Sequence, residues 1–297
     1  MEINYATNSF GSRIVKFLIK LSRFKNNTSS IYKTEKYIKK CSNKKLGNNI
    51  FKDMRKDSIS DYPIYVWNGT LSNIKDSILI YVHGGSFIDK PLKMQVDFAK
   101  KVALKLDSTL IMPLYKTLPN GNSKIFLEEM INIYKYMLEK NKKIYLMGDS
   151  AGGGAILSLS LILKDKKMPL PNGVIALSPW LDLSLDNEKI RDKKDIICSV
   201  IGNKYCGKLW ANEYSVKDYQ VSPIYGDFKK IDKIFISCGG NELCQPDCVK
   251  FSNLLKKDNN NYKFVQFINQ FHNFELYPIK ESDIILKEIY NYFVEEE

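Results

Sequence analysis

The sequence predicts an α/β fold, a mostly parallel sheet covered on both faces by helices. Three observations lead there. Short apolar runs alternate with longer amphipathic stretches over most of the chain. The short runs are apolar throughout rather than at every second residue, as in strands buried on both faces. One run passes through a glycine-flanked serine straight into a helix-like segment, the kind of junction that open α/β sheets present at their strand ends.

The elements follow in order. A strand is expected near Pro63–Trp67 and a second over Ile78-Leu79-Ile80-Tyr81-Val82. Val96, Ala99, Val102, Ala103 and Leu106 then recur at helical spacing. A strand at Thr109–Pro113 leads to a helix from Ile125 to Leu138, and a strand from Lys143 to Met147 leads to an apolar helix from Ala155 to Leu163. Further strands are expected at Val174–Leu177, Ile234–Cys238 and Phe264–Ile268, with Val249, Phe251, Leu254 and Leu255 forming an amphipathic stretch between the last two. The final helix, Ser282–Val294, is amphipathic through Ile285, Leu286, Ile289 and Phe293. Residues 186–214 break the alternation. At the other end, Phe10, Ile14, Phe17, Leu18 and Leu21 lie at helical spacing, with Arg13, Lys16, Lys20 and Arg23 on other faces. The Ile14–Leu21 run contains two lysines and is too short to span a bilayer, and it does not read as a secretory signal.

The chemistry is carried by a few residues. Gly148-Asp149-Ser150-Ala151-Gly152 has the G-x-S-x-G form of a nucleophile elbow, set between a strand and a helix. Alone the pentapeptide is weak evidence, because Gly and Ser are common in loops. Its setting makes it strong. His83-Gly84-Gly85-Ser86 follows the Ile78–Val82 strand, and adjacent glycines let backbone amides converge on one point. The amides of Gly84, Gly85 and Ala151 are the expected oxyanion hole; the alternative is a simple tight turn.

Only two histidines are present, His83 and His272. His83 belongs to the glycine turn and reads as a structural hydrogen-bonder. His272 follows the Phe264–Ile268 strand, downstream of the serine, and reads as the general base. The orienting acid should follow a strand between Ser150 and His272. Two acids lie in the loop after Ile234–Cys238, Glu242 and Asp247. Glu242 is nearer the strand end and is the expected partner of His272, its carboxylate within ~3.2 Å of Nδ1. Asp247 follows Pro246 and is expected to act at a helix N-terminus, and it is the alternative to Glu242 as the orienting acid.

These motifs make the chain resemble the hormone-sensitive-lipase-like esterases of the α/β-hydrolase superfamily, in the branch with HGG and GDSAGG. Ser178-Pro179-Trp180-Leu181-Asp182-Leu183-Ser184 and Val221-Ser222-Pro223-Ile224-Tyr225-Gly226-Asp227 resemble two further family segments, and the likeness runs from about Tyr65 to about Val294. There are departures: Glu242 stands where many members have aspartate, and Ser86 replaces a third glycine. The resemblance implies an α/β-hydrolase domain over 56–297 with a cap insertion near 186–214, and residues 1–55 as an N-terminal helical cap segment of the same domain. It implies a serine hydrolase that cleaves small or lipid-like acyl esters through an acyl-enzyme, with Ser150, Glu242 and His272 as catalytic residues. The same machinery would serve an amidase or deacetylase. A non-catalytic ligand-binding relative would keep the pocket and lose the base.

Composition sets the remaining bounds. At 297 residues, 44% hydrophobic and 26% charged, the chain suits one α/β domain with a modest insertion. The net charge of +12 is high, but pairs such as Lys39-Lys40, Lys44-Lys45, Lys142-Lys143 and Lys166-Lys167 are scattered, and no nucleic-acid motif accompanies them. They read as solvated surface, so the expected partner is a small-molecule ester and not a nucleic acid. Peripheral membrane contact through the basic N-terminal helix is the alternative to its cap role. The six cysteines form no C-x-x-C pair, and no histidine sits at zinc-ligand spacing. Free thiols favour a reducing, cytoplasmic location. Neither a metal nor a cofactor is expected, since no phosphate loop or dinucleotide fingerprint is present.

Overall fold

The structure, a computed structural model, describes residues 1–47 and 49–295; Asn48 and Glu296–Glu297, which fall in the anticipated segments 1–55 and 56–297, lie outside the described residues. Nine strands form one sheet in the order β1-β9-β8-β7-β6-β4-β5-β3-β2. They are β1 Glu2–Tyr5, β2 Arg55–Ile59, β3 Tyr62–Trp67, β4 Ser77–Val82, β5 Ser108–Pro113, β6 Lys143–Asp149, β7 Gly173–Leu177, β8 Ile234–Gly239 and β9 Tyr262–Phe267. From β5 across to β1 every pairing is parallel. Among the described strands, β2–β3 and β3–β5 are the antiparallel pairings. The β2–β3 hairpin turns through Ser60 and Asp61, both at positive φ, as a two-residue hairpin loop requires.

The helices are α1 Phe10–Ser22, α2 Ile31–Ser42, α3 Lys93–Lys105, α4 Ser123–Leu138, α5 Ser150–Asp165, α6 Val200–Ala211, α7 Gln245–Lys257 and α8 Lys280–Tyr290. Side chains of β4 alternate between two cores. Ile78, Ile80 and Val82 pack with α4 and α5, while Leu79 and Tyr81 pack with α3 and α8. Helix α5 lacks a polar face because it is covered all round, with every residue from Ser150 to Leu163 buried.

One expectation about the N-terminus is corrected. Residues 2–5 belong to the sheet rather than to a cap, pairing parallel with β9 from Glu2↔Phe264 to Tyr5↔Phe267. Residues 31–42, unassigned from the sequence, form α2. Helices α2 and α6 stand together beside the cavity at the carboxyl ends of the strands, where α2 and the segment at Phe24–Thr28 touch α6, while α1 packs on α8 and reaches the cavity through Ile19. Between 186 and 214 the chain forms a short 3-10 helix at Glu188–Asp192 and is otherwise irregular up to α6, which buries Cys206, Trp210 and Ala211 under this roof. No helix among the described residues is long and apolar enough to cross a membrane.

Candidate active site

Ser150 sits where β6 meets α5, with φ +51°, in the left-handed region. The turn is feasible because its flanking positions lack side chains. A Cβ on Gly152 would lie 2.1 Å from the Val82 carbonyl oxygen, and one on Gly148 2.5 Å from the Gly152 carbonyl carbon. The first contact presses the elbow against the end of β4, the strand that leads into His83-Gly84-Gly85, and the second closes the elbow on itself.

His272 lies on the loop after β9, and its Nε2 is 2.8 Å from Ser150 Oγ. On the other side of the ring, Nδ1 is 3.3 Å from Glu242 Oε2, just past the distance anticipated. Nδ1 and Glu242 Oε1 are both buried without a hydrogen-bond partner among the described residues, so this contact is an ion-pair approach and not yet an aligned bond. Asp247 is elsewhere. It lies in the first turn of α7 and accepts a 2.8 Å bond from Asn187 Nδ2, tying that helix to the 186–214 segment rather than capping it. His83 is buried, stacks on Tyr115 and places Nδ1 2.8 Å from the Gly84 carbonyl; burial lowers its pKa to about 4.

Burial by itself would depress the His272 pKa, but Cys198, Cys244 and Glu242 around the ring reverse this and raise it well above the ordinary value. Burial pushes both thiols up and raises the Glu242 carboxyl as well, so it is Glu242 in its ionised form that favours imidazolium. A second buried carboxylate stands behind the first. Ser178 Oγ lies 2.9 Å from Glu242 Oε2 and 3.3 Å from both oxygens of Glu275, and Ser237 Oγ donates to Glu275 Oε1 at 2.6 Å. Ser178 has a single proton to donate, so it can serve only one of the two carboxylates at a time. Burial, then repulsion from Glu242, raises the Glu275 pKa to about 8.

One expected oxyanion donor is corrected. The Gly84 amide donates to Asp149 Oδ1 at 2.9 Å and is thereby turned away from the serine. Asp149 also accepts from Tyr81 Oη, Gln95 Nε2 and Asn273 Nδ2, fastening the glycine turn to the elbow and to the His272 loop. The cavity is lined instead by Gly85 and Ser86, whose amides have no partner among the described residues. Gly85 has φ +114°, which suits glycine, and Ser86 and Phe87 continue at +51° and +59°. Ala151 has the free amide of a helix's first turn.

The cavity over Ser150 measures about 280 Å³, and its walls include Ile19, Phe24, Tyr37, Leu92 and Ile197. Tyr37 joins the roof to the turn below it, donating at 2.6 Å to Asp89, whose own amide donates to the Gly85 carbonyl. Two groups of buried donors are close enough to share an ion, Asp195–Cys198–His272 and Cys238–Glu242–Cys248. Both draw on residues already paired: Asp195 accepts from the amides of Ile197, Cys198 and Leu243, and Glu242 accepts from Ser178.

Sequence reasoning assigned no role to Asp149, Ser178 or Glu275. Asp149 stood inside the pentapeptide. The one local sign of Glu275 was an acid within the otherwise apolar Phe274–Leu276 run.

The chain matches a family model described as alpha/beta hydrolase fold over residues 79–276. An esterase of Acinetobacter venetianus is 25% identical over 206 residues, covering 67% of this chain and 68% of that protein. An acetyl-hydrolase of Streptomyces hygroscopicus is 22% identical over 199 residues, 65% of this chain and 67% of that one. The matches span about two thirds of the length of such relatives. A solved structure of an esterase from the bacterial hormone-sensitive lipase family superposes with a TM-score of 0.81 at 17% identity, covering 97% of this chain and 99% of the other, a likeness of fold.

Proposed function

The chain belongs to the alpha/beta hydrolase fold family, and from that premise we propose that it is a carboxylic ester hydrolase with Ser150 as nucleophile, His272 as general base and Glu242 as orienting acid. The observation that carries this reading is the 2.8 Å contact between Ser150 Oγ and His272 Nε2, with Glu242 3.3 Å behind the ring. A non-catalytic relative would have no reason to hold the pair in this register.

As Oγ attacks the ester carbonyl, its proton passes to Nε2. The imidazolium so formed draws Nδ1–H onto Glu242 and shortens a contact that is loose at rest. The carbonyl oxygen becomes negative and is held by the amides of Gly85, Ser86 and Ala151; one such donor is worth roughly 3 kcal/mol in the transition state. His272 then protonates the departing alkoxide. Water, deprotonated by the same nitrogen, attacks the acyl-enzyme and releases the carboxylate.

A cavity of about 280 Å³ lies just below the ~300–1,000 Å³ of small-molecule sites, which favours short acyl groups, and the acetyl-hydrolase relative points the same way. The six cysteines are free and buried, in keeping with a reducing, cytoplasmic setting. The test is a fluorophosphonate probe followed by an acyl-length series. Labelling should map to Ser150, vanish in Ser150→Ala, and be matched by turnover of acetyl to butyryl esters. Labelling at another serine, or cleavage of N-acetyl amides in preference to esters, overturns the reading.

A further inference from the structure

The charge of this chain is concentrated, which corrects the expectation of scattered, solvating lysines. Residues 10–45 hold eleven Lys and Arg against one acid, Glu35, a net +10 of the chain's +12. Among the described residues none of the eleven is in an ion pair. Glu35 accepts a hydrogen bond from Tyr205 instead.

Helix α1 is also turned inside out. It buries Ser12 and half-buries Val15 and Ile19, yet leaves Phe10, Ile14, Phe17, Leu18 and Leu21 exposed, Phe17 to 65% and Leu21 to 67%. At ~100° per residue these five side chains occupy one arc of the helix, with Arg13 and Lys20 along its edge. The outer side of α2 adds Tyr32, Lys36, Lys39 and Lys40, all exposed. The patch reaches the catalytic cavity: Phe24, next to α1, lines that cavity and is 41% exposed, and Leu92 does the same at 46%.

We propose that the outer face of α1 and α2 docks on an anionic lipid surface, inserting the α1 apolar arc, and passes an ester from that surface into the cavity. The delivery step rests on the ester-hydrolase reading; the docking step does not. Apolar side chains edged by cations are what an interfacial helix presents, and the unpaired positive charge complements anionic headgroups. A second copy fits poorly, because face-to-face pairing would set one strongly basic surface against another. A nucleic acid would engage the lysines but has no use for Phe17 or Leu21.

The experiment is flotation of the 297-residue chain, as Ser150→Ala so that hydrolysis cannot interfere, with vesicles of phosphatidylcholine alone or with about 30% phosphatidylglycerol. Binding should favour the anionic vesicles by at least about tenfold and weaken in high salt. Phe17→Ser/Leu21→Ser and, separately, Arg13→Glu/Lys20→Glu should each lower affinity about tenfold or more. In the Ser150-containing chain the same substitutions should leave hydrolysis of a water-soluble acetyl ester unchanged. Equal binding to both vesicle types, unchanged binding by the variants, or a solution dimer dissolved by Phe17→Ser/Leu21→Ser would overturn the proposal. Loss of ester hydrolysis in the unmutated chain with vesicle binding intact would instead count against the activity.

Discussion

Replacing Glu275 by Gln tests the buried carboxylate pair with a change of only one atom. Glu275 lies three residues past the general base, fully buried, with the Ser178 hydroxyl between its carboxyl and that of Glu242. Burial, then Glu242, raises its pKa from 4.5 to about 8. The folded protein therefore keeps a proton at neutral pH that the unfolded chain has released. Where the native state binds more protons, stability falls with rising pH. This contribution is fully present below about 4.5 and is lost as pH rises through about 8. The slope is at most ~1.36 kcal/mol per pH unit, or about 3 kcal/mol between pH 5 and 7.5. Gln resembles the protonated acid: its oxygen can accept from Ser237 and its amide can donate to Ser178. Urea denaturation of both proteins at several pH values between 5 and 7.5 reads the effect. The unsubstituted chain should lose about 3 kcal/mol more stability across that window than Glu275→Gln, the two matching near pH 5 and the variant exceeding the unsubstituted chain at 7.5. Parallel curves for the two proteins would refute the argument, since Glu275 would then be ionised like an ordinary carboxylate or compensated elsewhere.

Three other outcomes are expected. Glu242→Gln should cut turnover by orders of magnitude, because an amide does not stabilise imidazolium; Asp247→Asn should cost at most about 1 kcal/mol of stability, through its bond to Asn187, with turnover retained. Initial-rate measurements and melting curves on the pair would expose a reversal. Since the surroundings of His272 raise its pKa, the acid limb of kcat/KM should lie above the 6.5 of an ordinary histidine, activity climbing as pH rises; a limb at or below 6.5 would contradict the ring's environment. Gly152→Ala would set a methyl 2.1 Å from the Val82 carbonyl, so the chain should lose roughly 2–4 kcal/mol or fail to accumulate folded, and an unchanged Tm would mean that the elbow has more room.

What the sequence alone determined is what depends on neighbours along the chain. The elbow at Ser150 was legible because flanking glycines, a preceding strand and a following helix are all local. His272 was legible because only two histidines exist and His83 had a place in the glycine turn. The strand–helix alternation from β3 to α8 could be read from periodicity, since each element buries a continuous face. Tertiary structure decided the rest. Glu242 and Asp247 are five residues apart, and only the packing of α7 against the Asn187 segment separates the one that meets His272 from the one that does not. The Gly84 amide looked like an oxyanion donor until β4 and β6, adjacent in the sheet, brought it onto Asp149. Strand β1 was too short to show a pattern and exists because β9 offers it an edge. In α1 the apolar spacing foretold a helix, but not that its apolar arc would face outward. A helix's periodicity defines a stripe; which side of the molecule that stripe faces depends on contacts hundreds of residues away, here Ser12 with Gln270 and Ser9 with Glu281.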